Sequence, residues 1–350
     1  MWGYPAVMNW RAEFGTAVVG MLACAGCAAP GSQSAPPAVS VQVQIPLHAP
    51  VWSYATGALL ALTDDGRVAA VDHPASPDTV ATRWSEPLDA GRNMQISRAD
   101  DRTVFVPQPA RNRVAEVELT GLRQVGEIDA GPAPAYLSED AGMRVLLALS
   151  ADGATVTPVD ELSLRKLPSA QVSAGGTGVI DGANRGRAIE FHVYGPDGVS
   201  YFKGPSSPPE PRGHYDTTVF ATAGDGTAAG RVYLTDARRD TLYAVEAARG
   251  GDGLEQIGRT PVSSPIRYLG SDDTRVYAAT DTGVTVFESA AFTGYPHASI
   301  PVLRVIDYRA GLPSGPARSA PLSGMAIGPD RIYLTLRGQP VVASVAKPRL

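Results

Sequence analysis

The chain has 350 residues, with 30 Lys and Arg against 35 Asp and Glu and a formal net charge of −5 at pH 7. The cations are scattered among the anions, which excludes nucleic-acid binding through an overall positive field or a clustered phosphate-binding groove. Hydrophobic residues make up 44% and charged residues 19%, a globular balance, while 37 Gly and 30 Pro supply the turns that many short strands require.

The first thirty residues stand apart. Phe14 to Ala25 (FGTAVVGMLACA) is apolar and uncharged. It is too short to span a bilayer and has the length of a signal-peptide hydrophobic region. Arg11 is the one cation ahead of it, and a start at Met8 would bring that charge close to the amino terminus. The only two cysteines, Cys24 and Cys27, follow in MLACAGCAAPGS. This pattern resembles a bacterial lipobox, in which small residues precede a cysteine that is acylated and becomes the mature N-terminus. Cys27 follows Ala25-Gly26 and Cys24 follows Leu22-Ala23, with Cys27 slightly preferred. A soluble export signal and a Cys-x-x-Cys redox or metal pair are the other readings, but the βαβ context of a redox pair is missing. Residues 1–27 therefore read as a lipoprotein signal peptide, and residues 28–38 (AAPGSQSAPPA) as a disordered tether that cannot bury enough surface to order itself. The expected location is extracytoplasmic, lipid-anchored to the cell membrane.

From residue 39 the chain repeats itself seven times. The clearest copies are RVYLTDARRDTLYAVE at Arg231, RVYAATDTGVTVFE at Arg275 and RIYLTLRGQPVVASVA at Arg331. Weaker copies start at Ala58, Thr103, Arg144 and Arg187, so that successive start points lie 45, 41, 43, 44, 44 and 56 residues apart. A period of roughly 40–45 residues with several short strands per unit is the signature of a β-propeller. Each unit parses into four strands. In the Arg231 unit these are TTVFAT, RVYLT, TLYAVE and LEQIGR, separated by Gly-, Asp- and Arg-containing turns. The last unit lacks a fourth strand, and an orphan strand, Val39 to Ile45, precedes the first unit. The two ends are complementary, which predicts an all-β, seven-bladed propeller over residues 39–350. Its last blade is closed by the N-terminal strand, with Val41 to Ile45 against Val341 to Val345, removing a free sheet edge.

The units GEIDAGPAPAYLSEDAGMRVLLAL and EPLDAGRNMQISRADDRTVFV resemble the repeat cadence of the YncE-like and NHL-like seven-bladed propellers. Together with the lipobox and the Ala- and Arg-rich usage, the chain looks like an actinobacterial envelope lipoprotein. Those families include binding proteins, scaffolds and a few enzymes, so the resemblance implies a fold and leaves the function to the site.

In a propeller, the loops from the outer strand of one blade to the inner strand of the next gather around the central channel. By the parse above, these loops place His48, Asp89, Arg92, Asp129, His214, Asp216 and Arg267 on one face, a candidate ligand or partner surface. Turn geometry alone also accounts for many such residues. His48 and His214, with Asp216, are the candidates for a zinc or iron site, yet no His-x-His or His-x-x-x-His pair occurs. His73 and His297 fall on loops of the opposite face. Glu190 and His192 alternate onto one face of a strand expected to be partly exposed, a pairing suited to acid–base work. No Gly-x-Ser-x-Gly elbow, sialidase-type Asp-box or calcium-loop spacing is present.

The expected function is a non-enzymatic binding or scaffold module of the cell envelope, monomeric, without cofactor, bound metal or catalytic residue. Its partner is an envelope protein or a small polar ligand. The alternatives are a lactonase-like or quinoprotein-like envelope enzyme with its site at the channel mouth, and a zinc-delivery protein.

Overall fold

The computed structural model describes residues 38–204, 208–250, 252–290 and 294–349. Cys24 and Cys27, the stretch expected to be a signal peptide and nearly all of the expected tether lie outside the described residues.

The seven repeats fold as seven antiparallel sheets. Blade 1 is His48–Ser53, Ala58–Leu62, Val68–Asp72 and Ala81–Trp84. Blade 2 is Gln95–Ile96, Thr103–Gln108, Arg113–Glu118 and Gln124–Ile128. Blade 3 is Pro134–Asp140, Val145–Ser150 and Thr155–Asp160, with an outer edge divided into Arg165–Lys166 and Ala170–Gln171. Blade 4 is Val179–Gly182, Ile189–Gly195, Gly198–Gly204 and Glu210–Asp216, and blade 5 is Val219–Gly224, Arg231–Asp236, Thr241–Ala247 and Leu254–Pro261. Blade 6 is Ile266–Ser271, Arg275–Thr280, Val284–Glu288 and Val302–Ile306. Blade 7 is Leu322–Ile327, Arg331–Leu336 and Gln339–Ala346, completed by Ala38–Gln42 from the other end of the chain.

Closure follows the expected route with a shifted register. Ala38–Gln42 pairs antiparallel with Val341–Val345, Val41 lying opposite Val342. The strand thus begins three residues earlier than Val41, and Val43 adds one more bond, N–H to the Pro340 carbonyl at 2.9 Å. Side-chain alternation sets this register: Val41 and Val43 are buried beside Leu59, Val71 and Tyr333, while Gln42 and Gln44 face outward.

Burial explains where the repeat is legible. Second strands are sandwiched between neighbouring sheets, so Ala58–Leu62 and Val145–Ser150 are buried at every position. Outer strands are washed by solvent, and Val302–Ile306 is exposed at all but its last residue. The Arg-Val-Tyr cadence has a structural cause. Arg231 and Tyr233 project from the same side of their strand, and the Tyr233 hydroxyl donates to Asp225 in the preceding turn at 2.7 Å. In the next blade the Tyr277 hydroxyl donates to Asp272 at 2.6 Å. In these two blades the Tyr–Asp bond pins the turn to its own second strand.

Candidate functional site

The seven inner strands surround an axial channel with two cavities along it. The upper cavity, of about 470 Å³, is walled by the early residues of all seven inner strands, among them His48, Tyr136, Asp181, Phe220, Arg267 and Ser323, and by Arg92 from the loop just ahead of the blade 2 inner strand. It opens on the face where the chain crosses from one blade to the next. The lower cavity, of about 720 Å³, is walled by the far ends of the same strands and the turns after them, including Tyr54, Arg98, Asp101, Arg185, Asp272, Asp273 and Lys347.

Arg92 is positioned by its two neighbours. Gly91 donates its N–H to the Pro107 carbonyl at 2.7 Å. A Cβ there would meet the Ala135 carbonyl oxygen at 2.8 Å, so only glycine lets the chain pass this close. Asn93 then stitches blade 2 to blade 3: its Nδ2 donates to the Leu137 carbonyl at 2.7 Å, and the Leu137 N–H donates to its Oδ1 at 2.8 Å. Held between them, the Arg92 guanidinium lies 5.2 Å from the centre of the Tyr136 ring. Its Nε and Nη2 are buried with no hydrogen-bond partner, and burial lowers its pKa.

Asp181, two blades on, lines the same cavity. Its Oδ2 is buried and unpartnered, and burial raises its carboxyl above the ordinary range against the pull of the Thr222 and Tyr194 hydroxyls. Arg267 is already satisfied, its Nη2 2.6 Å and its Nε 2.7 Å from Asp281 Oδ2. His48 opens the inner strand of blade 1 with its Nε2 3.9 Å from Asp64.

Of the residues expected at the channel mouth, His48, Arg92 and Arg267 meet in this cavity, and the other four do not line it. Asp89 is an exposed loop residue with φ 51°. Asp129 ties blade 2 to blade 3 through Lys166 at 2.7 Å, and this hydrogen bond holds its carboxyl below the usual range. His214 and Asp216 are a correction to the parse. They lie on Glu210–Asp216, the outermost strand of blade 4, instead of a crossing loop. There His214 Nδ1 is 2.9 Å from Ser200 Oγ, and Nε2 is 3.2 Å from the Asp197 carbonyl and 3.3 Å from Asp216. The long Gly- and Pro-rich connection before this strand made it read as a loop.

Glu190 and His192 also depart from expectation, being buried where partial exposure was anticipated. Tyr201 donates to Glu190, and Lys203 pairs with it at 3.0 Å. His192 stacks on Tyr201 with ring centres 4.8 Å apart, and burial drives its pKa down to about 3, keeping it neutral. Among the described residues, no group of three or more His, Cys, Asp or Glu side chains is placed to hold a metal ion.

Tyr136 and Asp181 were not among the residues expected from the sequence, because both sit within inner strands and not in the crossing loops. An acidic residue in the apolar run GVIDG was the available signal.

No protein-family model matches the chain, and no curated protein sequence does. Solved structures do. The chain is similar to a structure of the mitotic checkpoint complex (TM-score 0.67, 12% identity, covering 95% of this chain and 99% of that one). It is similar to the WD40 repeats of RRP9 (TM-score 0.63, 10% identity, 89% and 97% covered). It is also similar to virginiamycin B lyase from Staphylococcus aureus (TM-score 0.59, 9% identity, 89% and 99% covered). At such identities the likeness establishes the fold: the protein is a seven-bladed β-propeller.

Proposed function

We propose that this chain is an extracytoplasmic, lipid-anchored binding module of the cell envelope that engages an envelope protein or a small polar ligand at the loop face of its channel. The observation that carries the reading is the upper cavity, where polar side chains from several blades converge and one cation, Arg92, has no acceptor. The fold alone admits both assembly and catalysis, since one structural neighbour belongs to a checkpoint complex and another is a lyase. Binding is favoured because the one acid–base pair singled out from the sequence, Glu190 with His192, is sealed within blade 4. The anchor rests on the sequence MLACAGC.

Two measurements test this. Acyl labelling of the full chain should be lost in a Cys24→Ser/Cys27→Ser double variant, with release from membranes, and the single variants should show which cysteine carries the lipid. Crosslinking in envelope fractions should recover a partner with the wild type and lose it in a His48→Ala/Arg267→Ala variant. Unchanged membrane partitioning would remove the anchor from the reading, and unchanged crosslinking would remove the loop face.

A further inference from the structure

The upper cavity contains a charge in search of a counter-charge. Arg92 stacks on Tyr136, yet its Nε and Nη2 are out of contact with water and without an acceptor. A buried donor left unpaired is destabilising, and more so if charged. A site that keeps one calls for a specific explanation. Nε and Nη2 form the side edge of the guanidinium, the edge whose two parallel N–H groups match the two oxygens of a carboxylate.

The same cavity contains the converse defect. Asp181 Oδ2 is buried with no hydrogen bond made to it, although the Thr222 and Tyr194 hydroxyls lie near enough to pull on its carboxyl. Burial raises the Tyr136 phenol pKa, Asp181 raises it further and Arg92 lowers it, so both charges act on one hydroxyl. Blades 2, 3 and 4 thus present, in order, an unpaired cation, an aromatic face and a carboxyl with one unmatched oxygen.

We propose that the upper cavity binds a small organic carboxylate that also bears an amine or hydroxyl group, the carboxylate on Arg92 and the donor group on Asp181. This rests on the reading of the loop face as the binding surface and names the ligand class for it. The cavity of about 470 Å³ is of small-molecule size. To engage, the guanidinium turns off the Tyr136 ring, which leaves the ring face to pack on the ligand's carbon skeleton. A phosphate monoester fits less well. Its second charge needs another free cation, and Arg267 is already taken by Asp281 at 2.6 Å, while Asp181 repels a dianion.

The test is calorimetric titration and thermal shift on the full chain in detergent. The probes are amino acids and 2-hydroxy acids (glycine, alanine, lactate, glycerate, gluconate), their primary amides, propionate and glycerol 3-phosphate. At least one amino or hydroxy acid should bind and raise Tm, and its amide should bind about tenfold or more weaker. Arg92→Met should abolish binding without lowering the Tm of the unliganded protein, and Arg92→Lys, which keeps the charge but loses the fork, should bind about tenfold weaker. Asp181→Asn should weaken the hydroxy or amino acid and leave propionate unchanged. The proposal is overturned if glycerol 3-phosphate outcompetes every carboxylate, if no carboxylate binds, or if binding survives Arg92→Met. Should no probe bind while the His48→Ala/Arg267→Ala variant still loses its crosslinked partner, the ligand class is wrong and the loop-face reading stands. Should carboxylates bind through Arg92 while crosslinking is untouched by that variant, the cavity assignment stands and the loop-face reading falls.

Discussion

The two ends of the axial channel are built from the same seven inner strands, yet they use charge differently. At the lower end Arg98 of blade 2 pairs with Glu139 of blade 3 at 3.2 Å, and Arg185 of blade 4 with Asp273 of blade 6 at 3.1 Å. Lys347, past the last strand of blade 7, reaches Asp272 of blade 6 at 2.9 Å. These pairs join different blades, so the lower charges serve the ring itself. At the upper end Arg267 and Asp281 pair within blade 6, and Arg92 and Asp181 keep unmatched atoms. Glu139 Oε1 and Glu161 Oε1 at the lower end are also buried without a partner; the upper end differs in that its unmatched groups, the Arg92 guanidinium and the Asp181 carboxyl, line one cavity, where an outside partner can meet both.

The largest effect should come from opening the ring that both ends share. Deleting residues 38–46 removes the outer strand of blade 7, with Val41 and Val43 from the core. Loss of two buried valines and a whole ladder should lower Tm by about 10 °C or more, or abolish cooperative melting in circular dichroism. A melting curve like the wild type's would remove closure as the basis of the channel.

The lower end should show its burial as a pH dependence. Burial, with Glu161 beside it, raises Glu139 from 4.5 to about 8. Between those values the folded state keeps a proton that the unfolded state has released. Stability should therefore fall as pH rises from about 4.5 to about 8 and level off above, since a tenfold difference in proton affinity between the two states is worth about 1.4 kcal/mol. Glu139→Gln should match the wild type near pH 5, exceed its Tm near pH 8 and flatten the slope between them.

A paired substitution compares the ends directly. At pH 8 Arg98→Met strips Glu139 of its cation and should cost about 1 kcal/mol, the pair being partly exposed on the arginine side. Arg92→Met removes a cation with no partner and should be neutral or slightly stabilising. Equal destabilisation by chemical denaturation would erase the contrast between the ends. The smallest effect is expected at the rim of blade 4, where His214→Ala and Asp216→Ala should each change stability by less than about 0.5 kcal/mol, because Asp216 is exposed and His214 bonds at the surface.

The sequence by itself determined the number of blades, the strand order within them and the closure by the N-terminal strand. These rest on strands whose burial on both faces forces apolar runs, as in Ala58–Leu62 and Val145–Ser150, and a periodic constraint leaves a periodic trace. It also placed Arg92 and Arg267 at the channel mouth, since glycine and proline mark the crossing loops around them. It could not place His214 and Asp216, whose exposed edge strand has no apolar alternation to distinguish it from a loop. Only the tertiary structure decided that Arg92, Tyr136 and Asp181, spread over ninety residues and three blades, share one cavity. Ring closure brings them together, and pattern within a repeat carries no information about which side chains of different repeats meet at the axis or which of them lack a partner there.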